Sequence, residues 1–240
     1  MTGLEGGTAV ALKLGMSIVT RAAPAGFALV RSWLRGKELL VIGQPRAGKT
    51  TFVDYLQHGL FEDEKDTEKS HDLSATPRFD VKLGRDSALE LTVKTAVDIP
   101  GQWGAVKHAD VAFDRNPHAI LVFLDATPPG KQVTDESEID PEVWMRNFCQ
   151  RLETHWRTDD RKRSRLRSLT IAINKIDRVP PENIPVLRKR VRSIADSELH
   201  DAKGRMKDAV AIVGTCLVTN VGGTKMIDSA IAQLAKQLAK

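Results

Sequence analysis

A glycine-rich octapeptide starting at Gly43 has the residue types and spacing that bind a polyphosphate. It reads G-Q-P-R-A-G-K-T, which matches the pattern G-x-x-x-x-G-K-[ST]. Because a triphosphate carries several negative charges, such a loop presents converging backbone N–H groups near a helix N-terminus. Lys49 is expected to reach the β- and γ-phosphate oxygens, and the Thr50 hydroxyl to ligate magnesium. The nucleotide-binding residues predicted here are Gly43, Gln44, Pro45, Arg46, Ala47, Gly48, Lys49, Thr50 and Thr51.

Two residues inside this loop are unusual for such a motif. Pro45 removes one backbone N–H donor, since proline has none. Arg46 carries a long cation, and the sequence leaves open whether its side chain points outward or toward a phosphate.

A second motif, D-I-P-G-Q, follows an apolar segment at residues 98–102. A carboxylate at a strand end can hold the shell of a magnesium ion, which assigns Asp98 to the metal. Gly101 offers an N–H to a γ-phosphate, and Gln102 is placed to orient an attacking water. Alone, D-x-x-G usually means a β-turn, and its value here comes from lying downstream of the phosphate loop.

The tetrapeptide N-K-I-D at residues 174–177 has the residue types that select guanine. Guanine presents two donors on one edge, and the carboxylate of Asp177 can accept both, whereas adenine lacks that amino group. The methylene stem of Lys175 would lie along the base plane. Asn174 would tie this base-binding loop to the phosphate loop. The alternative interpretation, a surface turn, is disfavoured by the apolar strand before it and by the motif order.

Two weaker motifs complete the set. The segment T-C-L after another strand could place a backbone N–H at the guanine O6, although small residues after a strand are ordinary; its residues are Thr215, Cys216 and Leu217. Thr76 lies in the loop before the second strand and could complete a magnesium shell when a γ-phosphate is present.

These motifs require elements that bring them to one edge of a sheet. The alternation of short apolar runs with longer amphipathic segments predicts an α/β fold, with a mostly parallel sheet covered on both faces. Ligands in such folds bind at the carboxyl ends of the strands. We predict strands at residues 37–42, 79–83, 89–97, 119–124, 169–173 and 209–214, and helices at 49–60, 142–156, 182–198 and 226–238.

Composition excludes several classes of protein. The chain has 240 residues, of which 41% are hydrophobic and 28% charged, values typical of a globular domain rather than a disordered one. Only 5% are aromatic, which disfavours a stacking surface for nucleic acid. Two cysteines cannot build a disulfide framework, which indicates a reducing, cytoplasmic home. The sequence contains no stretch of about 18 uncharged apolar residues, so it predicts no conventional membrane span.

With these motifs in this order, residues 37–240 resemble a Ras-superfamily small GTPase, and the A-T-P-R-F-D-V segment is most similar to the Arf and SRP-receptor-β branch. The resemblance implies a three-layer P-loop NTPase G domain with a six-stranded sheet. It also implies a two-state switch that binds GTP or GDP with Mg²⁺ and signals through Thr76 and Gly101 to regulatory or effector proteins. The residues it makes catalytic are Lys49, Thr76 and Gln102. Pro45, Arg46 and Leu217 depart from the family pattern.

An extension at residues 1–36 precedes this domain, with apolar residues spaced as on helices. Three interpretations remain open: an amphipathic surface that meets an anionic membrane peripherally, a helical pair packed on the domain, or a protein-docking segment. Basic runs at residues 161–167 and 188–192 are read first as solvated faces, with acidic lipid or an acidic partner as the alternative and RNA as a weaker one.

Two functions outside the switch class are also weighed. One is a GTP-binding scaffold whose nucleotide is structural, which Pro45 and the atypical T-C-L segment favour. The other is a P-loop kinase of nucleotides or metabolites, which must treat Asn174, Lys175 and Asp177 as a coincidence.

Overall fold

The computed structural model describes part of the chain, and the structural statements below concern that part. The described residues are 37–58, 74–75, 79–83, 89–100, 103–127, 140–199 and 209–214, with Ile231 and Leu234. Residues 1–36, and with them the predicted extension, lie outside this part.

The strands of the described residues form one sheet in the order β2-β4-β1-β5-β6-β7, with β3 also paired to β4. Strand β1 lies in the middle and pairs in parallel with β4 and β5, and parallel pairing continues to β6 and β7. Only β2 and β3 are antiparallel to their neighbour. The strands are β1 (Lys37–Gly43), β2 (Ser74–Ala75), β3 (Phe79–Leu83), β4 (Leu89–Asp98), β5 (Ala119–Asp125), β6 (Ser168–Asn174) and β7 (Val210–Gly214).

The continuous apolar runs of β5 and β6 are explained by burial on both faces of the sheet. Alternate residues of β5, such as Ile120 and Val122, join the core formed with α2, α3 and α5. On the opposite face, Phe123 packs against Phe52 of α1 with 5.1 Å between ring centroids. The helices are α1 (Lys49–His58), α2 (Gly104–Arg115), α3 (Pro141–Thr158), α4 (Asp160–Arg165) and α5 (Asn183–Glu198), and Ile176–Arg178 form a 3-10 helix.

Local sequence explains where the longest helix begins. Asp140 precedes α3, and its Oδ1 accepts hydrogen bonds from the backbone N–H groups of Glu142 and Val143, at 2.8 and 3.2 Å. This caps donors that have no partner within the helix. Pro141 at the first helical position lacks the N–H that would need such a partner. The apolar side of α3 then buries Trp144 and Phe148 completely.

The predicted α/β architecture is confirmed: three layers, with a mostly parallel sheet between helices. Each of the six predicted strands is present within a residue or so of its expected bounds, and β2 is an additional two-residue strand on β4. The sequence analysis did not predict α2 or α4. Of the helix predicted at 226–238, the described residues Ile231 and Leu234 are helical and buried.

Candidate nucleotide-binding site

The predicted motifs follow strands that run in the same direction, so their carboxyl ends meet at one edge of the sheet. In the pairing register Val41 lies beside Asp98, and Gly43 beside Phe123. Farther along the same edge, Asp125 at the end of β5 lies beside Asn174 at the end of β6. This is the edge at which α/β folds bind ligands.

The phosphate loop begins with a glycine that no other residue can replace without a clash. Gly43 has φ +138°, and a Cβ built on it would lie 2.0 Å from the carbonyl oxygen of Phe123. The next residue, Gln44, donates its backbone N–H to that same oxygen at 3.0 Å. The loop is therefore held against the end of β5 through the backbone. Gly48, which closes the loop before α1, also has a positive φ, of 93°.

Lys49 is the first residue of α1 and one of the few buried charges among the described residues, with 6% of its surface exposed. Its ammonium donates to the loop carbonyls of Gly43, at 3.2 Å, and Gln44, at 2.8 Å. Thr50 and Thr51 follow, partly buried, in the first turn of the helix. The first N–H groups of a helix have no partner within it, so a buried cation and helix-end donors converge here. These residues fit a bound polyphosphate.

Arg46 lies inside this loop. Its side chain is exposed, and its backbone is left-handed with φ 55°. For a residue other than glycine this conformation costs roughly 1–2 kcal/mol. Pro45 beside it is partly buried. Arginine therefore occupies a position in the loop whose left-handed backbone conformation glycine would adopt more easily.

The N-K-I-D segment and the phosphate loop are bonded to each other. Asn174 is 2% exposed, and its Nδ2 donates to the carbonyl oxygen of Ala47 at 2.8 Å. Lys175 has a left-handed backbone, with φ 59°, and directs the chain into the 3-10 helix. Asp177 is exposed in that helix. A hydrogen bond therefore connects the segment predicted to recognise the base with the loop predicted to bind the phosphates.

Sequence reasoning missed Asp125, the last residue of β5. Its Oδ2 accepts from the Lys175 ammonium at 2.5 Å, and its Oδ1 accepts from the backbone N–H of Thr127 at 2.9 Å. Its own backbone N–H donates to the side-chain Oε1 of Gln44 at 2.8 Å. The sequence did contain a signal for this residue: Asp125 ends an apolar strand, as Asp98 ends β4 and Asn174 ends β6.

His108 is a structural residue beside the candidate site. It lies on α2, is completely buried, and has its ring 5.6 Å from that of Trp144. Its Nε2 lies 2.9 Å from the carbonyl oxygen of Pro100. Because a carbonyl only accepts, Nε2 carries the proton, and the buried Nδ1 has no hydrogen-bond partner. Burial lowers the pKa of His108 from 6.5 to about 4, although the Pro100 bond raises it and the charge of Lys49 lowers it further.

This pKa predicts an acid-sensitive fold. The unfolded chain takes up a proton on this histidine below about pH 6.5, whereas the folded protein does so only near pH 4. The free energy of unfolding should therefore fall by about 3 kcal/mol as the pH is lowered from 6.5 to 4. Urea unfolding at several pH values measures it. His108→Gln, which keeps a donor for Pro100 but does not titrate, should lose this slope; an equal slope in both proteins would contradict the assignment.

Several predicted site residues lie outside the described part of the chain. They are Thr76, Gly101, Gln102, Thr215, Cys216 and Leu217. Asp98 is described through its backbone, as the end of β4 between β1 and β2. Within the described ranges, no three His, Cys, Asp or Glu side chains are grouped so that they could hold a metal ion.

The basic runs are partly tied to the domain itself. On α4, Arg163 pairs with Glu153 at 2.8 Å and Lys162 donates to the carbonyl oxygen of Phe113 at 3.2 Å. On α5, Arg190 pairs with Glu142, and Arg192 donates to the carbonyl oxygen of Val210. Arg161, Arg165 and Arg167 remain exposed. The helices described include none that is both long and apolar enough to cross a bilayer.

Comparison with known proteins identifies this fold. The sequence matches no protein-family model and no curated protein. Among solved structures, it is similar to a chain of the signal recognition particle receptor SRb-GTP/SRX complex from Chaetomium thermophilum, with a TM-score of 0.53 and 13% identity over 84% of this chain and 97% of that one. It is also similar to Roco2 RocCORdC from Methanosarcina barkeri bound to GDP, with a TM-score of 0.46 and 18% identity over 83% and 49%. The first of these similarities shows that the chain has the G-domain fold.

Proposed function

We propose that this protein is a guanine-nucleotide-binding switch that binds GTP with Mg²⁺ and hydrolyses it slowly to GDP and phosphate. The observation that carries this proposal is the 2.8 Å bond from Asn174 to the carbonyl of Ala47. It joins a loop with the chemistry for phosphate to a segment with the chemistry for guanine, at the edge of the sheet where ligands bind.

The phosphate end rests on the loop of residues 43–48 and the start of α1. Lys49 exchanges its bonds with neutral loop carbonyls for stronger bonds to anionic phosphate oxygens, in which both partners are charged. The helix N-terminus adds N–H donors and a favourable dipole. Thr50, Asp98 and Thr76 would hold the metal. Bound Mg²⁺ would supply positive charge against the phosphates.

A panel of nucleotide affinities tests this proposal. GDP, GTP and ATP are titrated separately, each with and without magnesium. We expect tight binding of GDP and GTP and weak binding of ATP. Adenine lacks the pair of donors from which the Asp177 carboxylate would accept hydrogen bonds on guanine. Equal binding of the adenine and guanine nucleotides, or binding of neither, would refute the proposal.

Gln102→Leu should bind GTP as the unchanged protein does but hydrolyse it at least about tenfold more slowly, because the variant cannot orient the attacking water. Single-turnover hydrolysis measures the difference. Gln150→Leu, the same change at an exposed position on α3, is the control. Equal rates in all three proteins would remove Gln102 from the mechanism, and GTP that stays intact for hours in the unchanged protein would favour a scaffold with a structural nucleotide.

The proposed protein partners bind to the loops that carry Thr76 and Gly101 and to the exposed side of α2. Val106 on this helix is 50% exposed, and the ammonium of Lys107 lies 6.0 Å from the centre of the Trp103 ring. An exposed valine beside an aromatic ring and a cation is suited to a regulatory or effector protein rather than to nucleic acid.

The role of residues 1–36 stays a prediction with the three alternatives given above. A peripheral, cytoplasmic association with anionic lipid draws support from the exposed arginines at 161, 165 and 167. Co-sedimentation with anionic liposomes, with and without residues 1–36, decides it. Equal sedimentation of the two proteins would remove the membrane alternative for this segment.

A further inference from the structure

We infer that Asp125 is a positioning residue for the purine base, acting through Lys175; this inference rests on the proposed guanine-nucleotide site. Asp125 belongs to neither motif, yet it is bonded to a residue of each. Its partners are 81 residues away, at Gln44, and 50 residues away, at Lys175. Asp125 therefore meets these two partners only when the chain is folded.

The first part of the argument is the ion pair. The Lys175 ammonium lies 2.5 Å from the Asp125 Oδ2, and the two side chains are only 23% and 20% exposed. A partly buried, charge-assisted bond of this length is stronger than one on an open surface. It fixes the far end of the lysine. The methylene stem between that end and the backbone is then confined, and this is the part that would lie along the base.

The backbone of Lys175 makes such a restraint necessary. Its φ of 59° is a left-handed conformation that a residue with a long side chain seldom adopts. Such conformations persist where surrounding contacts determine them. The carboxylate that fixes the side chain is one such contact, and the buried Asn174 just before it is another. Together they hold the turn from β6 into the 3-10 helix that carries Asp177.

Asp125 itself is held rigidly. Its second carboxylate oxygen accepts from the backbone N–H of Thr127 at 2.9 Å, and Ala126 donates its N–H to the carbonyl oxygen of Asn174 at 2.9 Å. Its own N–H donates to the side chain of Gln44, a residue that is 3% exposed. The lysine that is proposed to contact the base is thus connected to the phosphate loop through a short, partly buried path. Positioning of this kind lowers the entropic cost of binding the base.

The test is a double-mutant cycle on nucleotide affinity. Asp125→Asn is nearly isosteric and keeps an oxygen for the Thr127 N–H but loses the charge. Lys175→Met keeps an unbranched stem and also removes the ion pair. We expect Asp125→Asn to weaken GDP binding by about tenfold, and IDP binding by the same factor, because the stem contacts any purine face. In the Lys175→Met background, the same change should alter GDP affinity less than about twofold, since coupled residues are not additive.

A merely structural role for Asp125 would give a different result. It would lower the urea midpoint of the nucleotide-free protein and weaken GDP binding by equal factors in both backgrounds. That outcome overturns the inference, as does Asp125→Asn binding GDP as tightly as the unchanged protein. If the unchanged protein binds no guanine nucleotide, the proposed function fails first and this inference falls with it. Binding by the unchanged protein without the expected coupling refutes only the role of Asp125.

Discussion

Asp177→Asn should weaken GDP binding by about a hundredfold or more and bind XDP more tightly than GDP. The carboxylate accepts two hydrogen bonds from the guanine edge, and each bond to a charged group contributes about 1.5–3 kcal/mol. Asparagine keeps one acceptor oxygen but faces the second guanine donor with an amide N–H. Xanthine has an oxygen where guanine has its amino group, so the new donor suits it.

Asp177 is exposed in a short 3-10 helix, and a parallel measurement of stability separates recognition from folding. Affinities for GDP and XDP are measured by competition on the same preparation, with the free energy of unfolding checked in parallel. Asp196→Asn, a change of the same kind at a residue on α5 that is 46% exposed, is the control. A variant with unchanged GDP affinity would show that Asp177 does not contact the base.

Gly43→Ala should lower the free energy of unfolding by at least about 3 kcal/mol and abolish nucleotide binding. The added Cβ would overlap the Phe123 carbonyl at 2.0 Å, and that atom is backbone inside the sheet, so it cannot rotate away. Alanine also disfavours φ +138°. Relief requires β1 and β5 to separate where Gln44 is bonded to Phe123, which opens the phosphate loop.

Gly104→Ala is a matched control for this change. Gly104 also has a positive φ, of 72°, but a Cβ built on it meets nothing within 4 Å. Its substitution therefore costs the left-handed backbone term alone, roughly 1 kcal/mol. Urea unfolding of both variants separates the steric term from the conformational one. Equal losses in the two proteins would contradict the close approach of Gly43 to β5.

The architecture was predictable because its signals are local. The apolar runs of β5 and β6 need no partner to be recognised, and their order with helices between them specifies a parallel sheet. The G-x-x-x-x-G-K-T and N-K-I-D motifs are equally local, so candidate residues such as Lys49 and Asn174 could be named before any coordinates. What each of those residues binds remains a prediction.

The parts that escaped prediction depend on contacts between distant residues. Helix α2 buries mostly alanines, Ala105, Ala109 and Ala112, whose apolar signal is too weak to mark a core-facing stripe. His108 on the same face became neutral and buried because Trp144 and Pro100, from other elements, surround it. The backbone of Arg46 adopts a left-handed conformation because of the shape of the loop, although arginine disfavours that conformation. These contacts join residues that are far apart in the sequence, so a short segment of sequence does not predict them.

The hydrogen bond from His108 to Pro100 connects α2 to the segment that follows β4, next to the proposed nucleotide-binding site. One side of this helix is exposed at Val106, while its inner side holds the peptide group just before Gly101. In a close-packed interior, a small displacement of the helix is transmitted rather than absorbed. Under the proposed function, a protein bound to the outside of α2 would therefore displace the backbone at Pro100 and change the rate of hydrolysis without contacting the nucleotide.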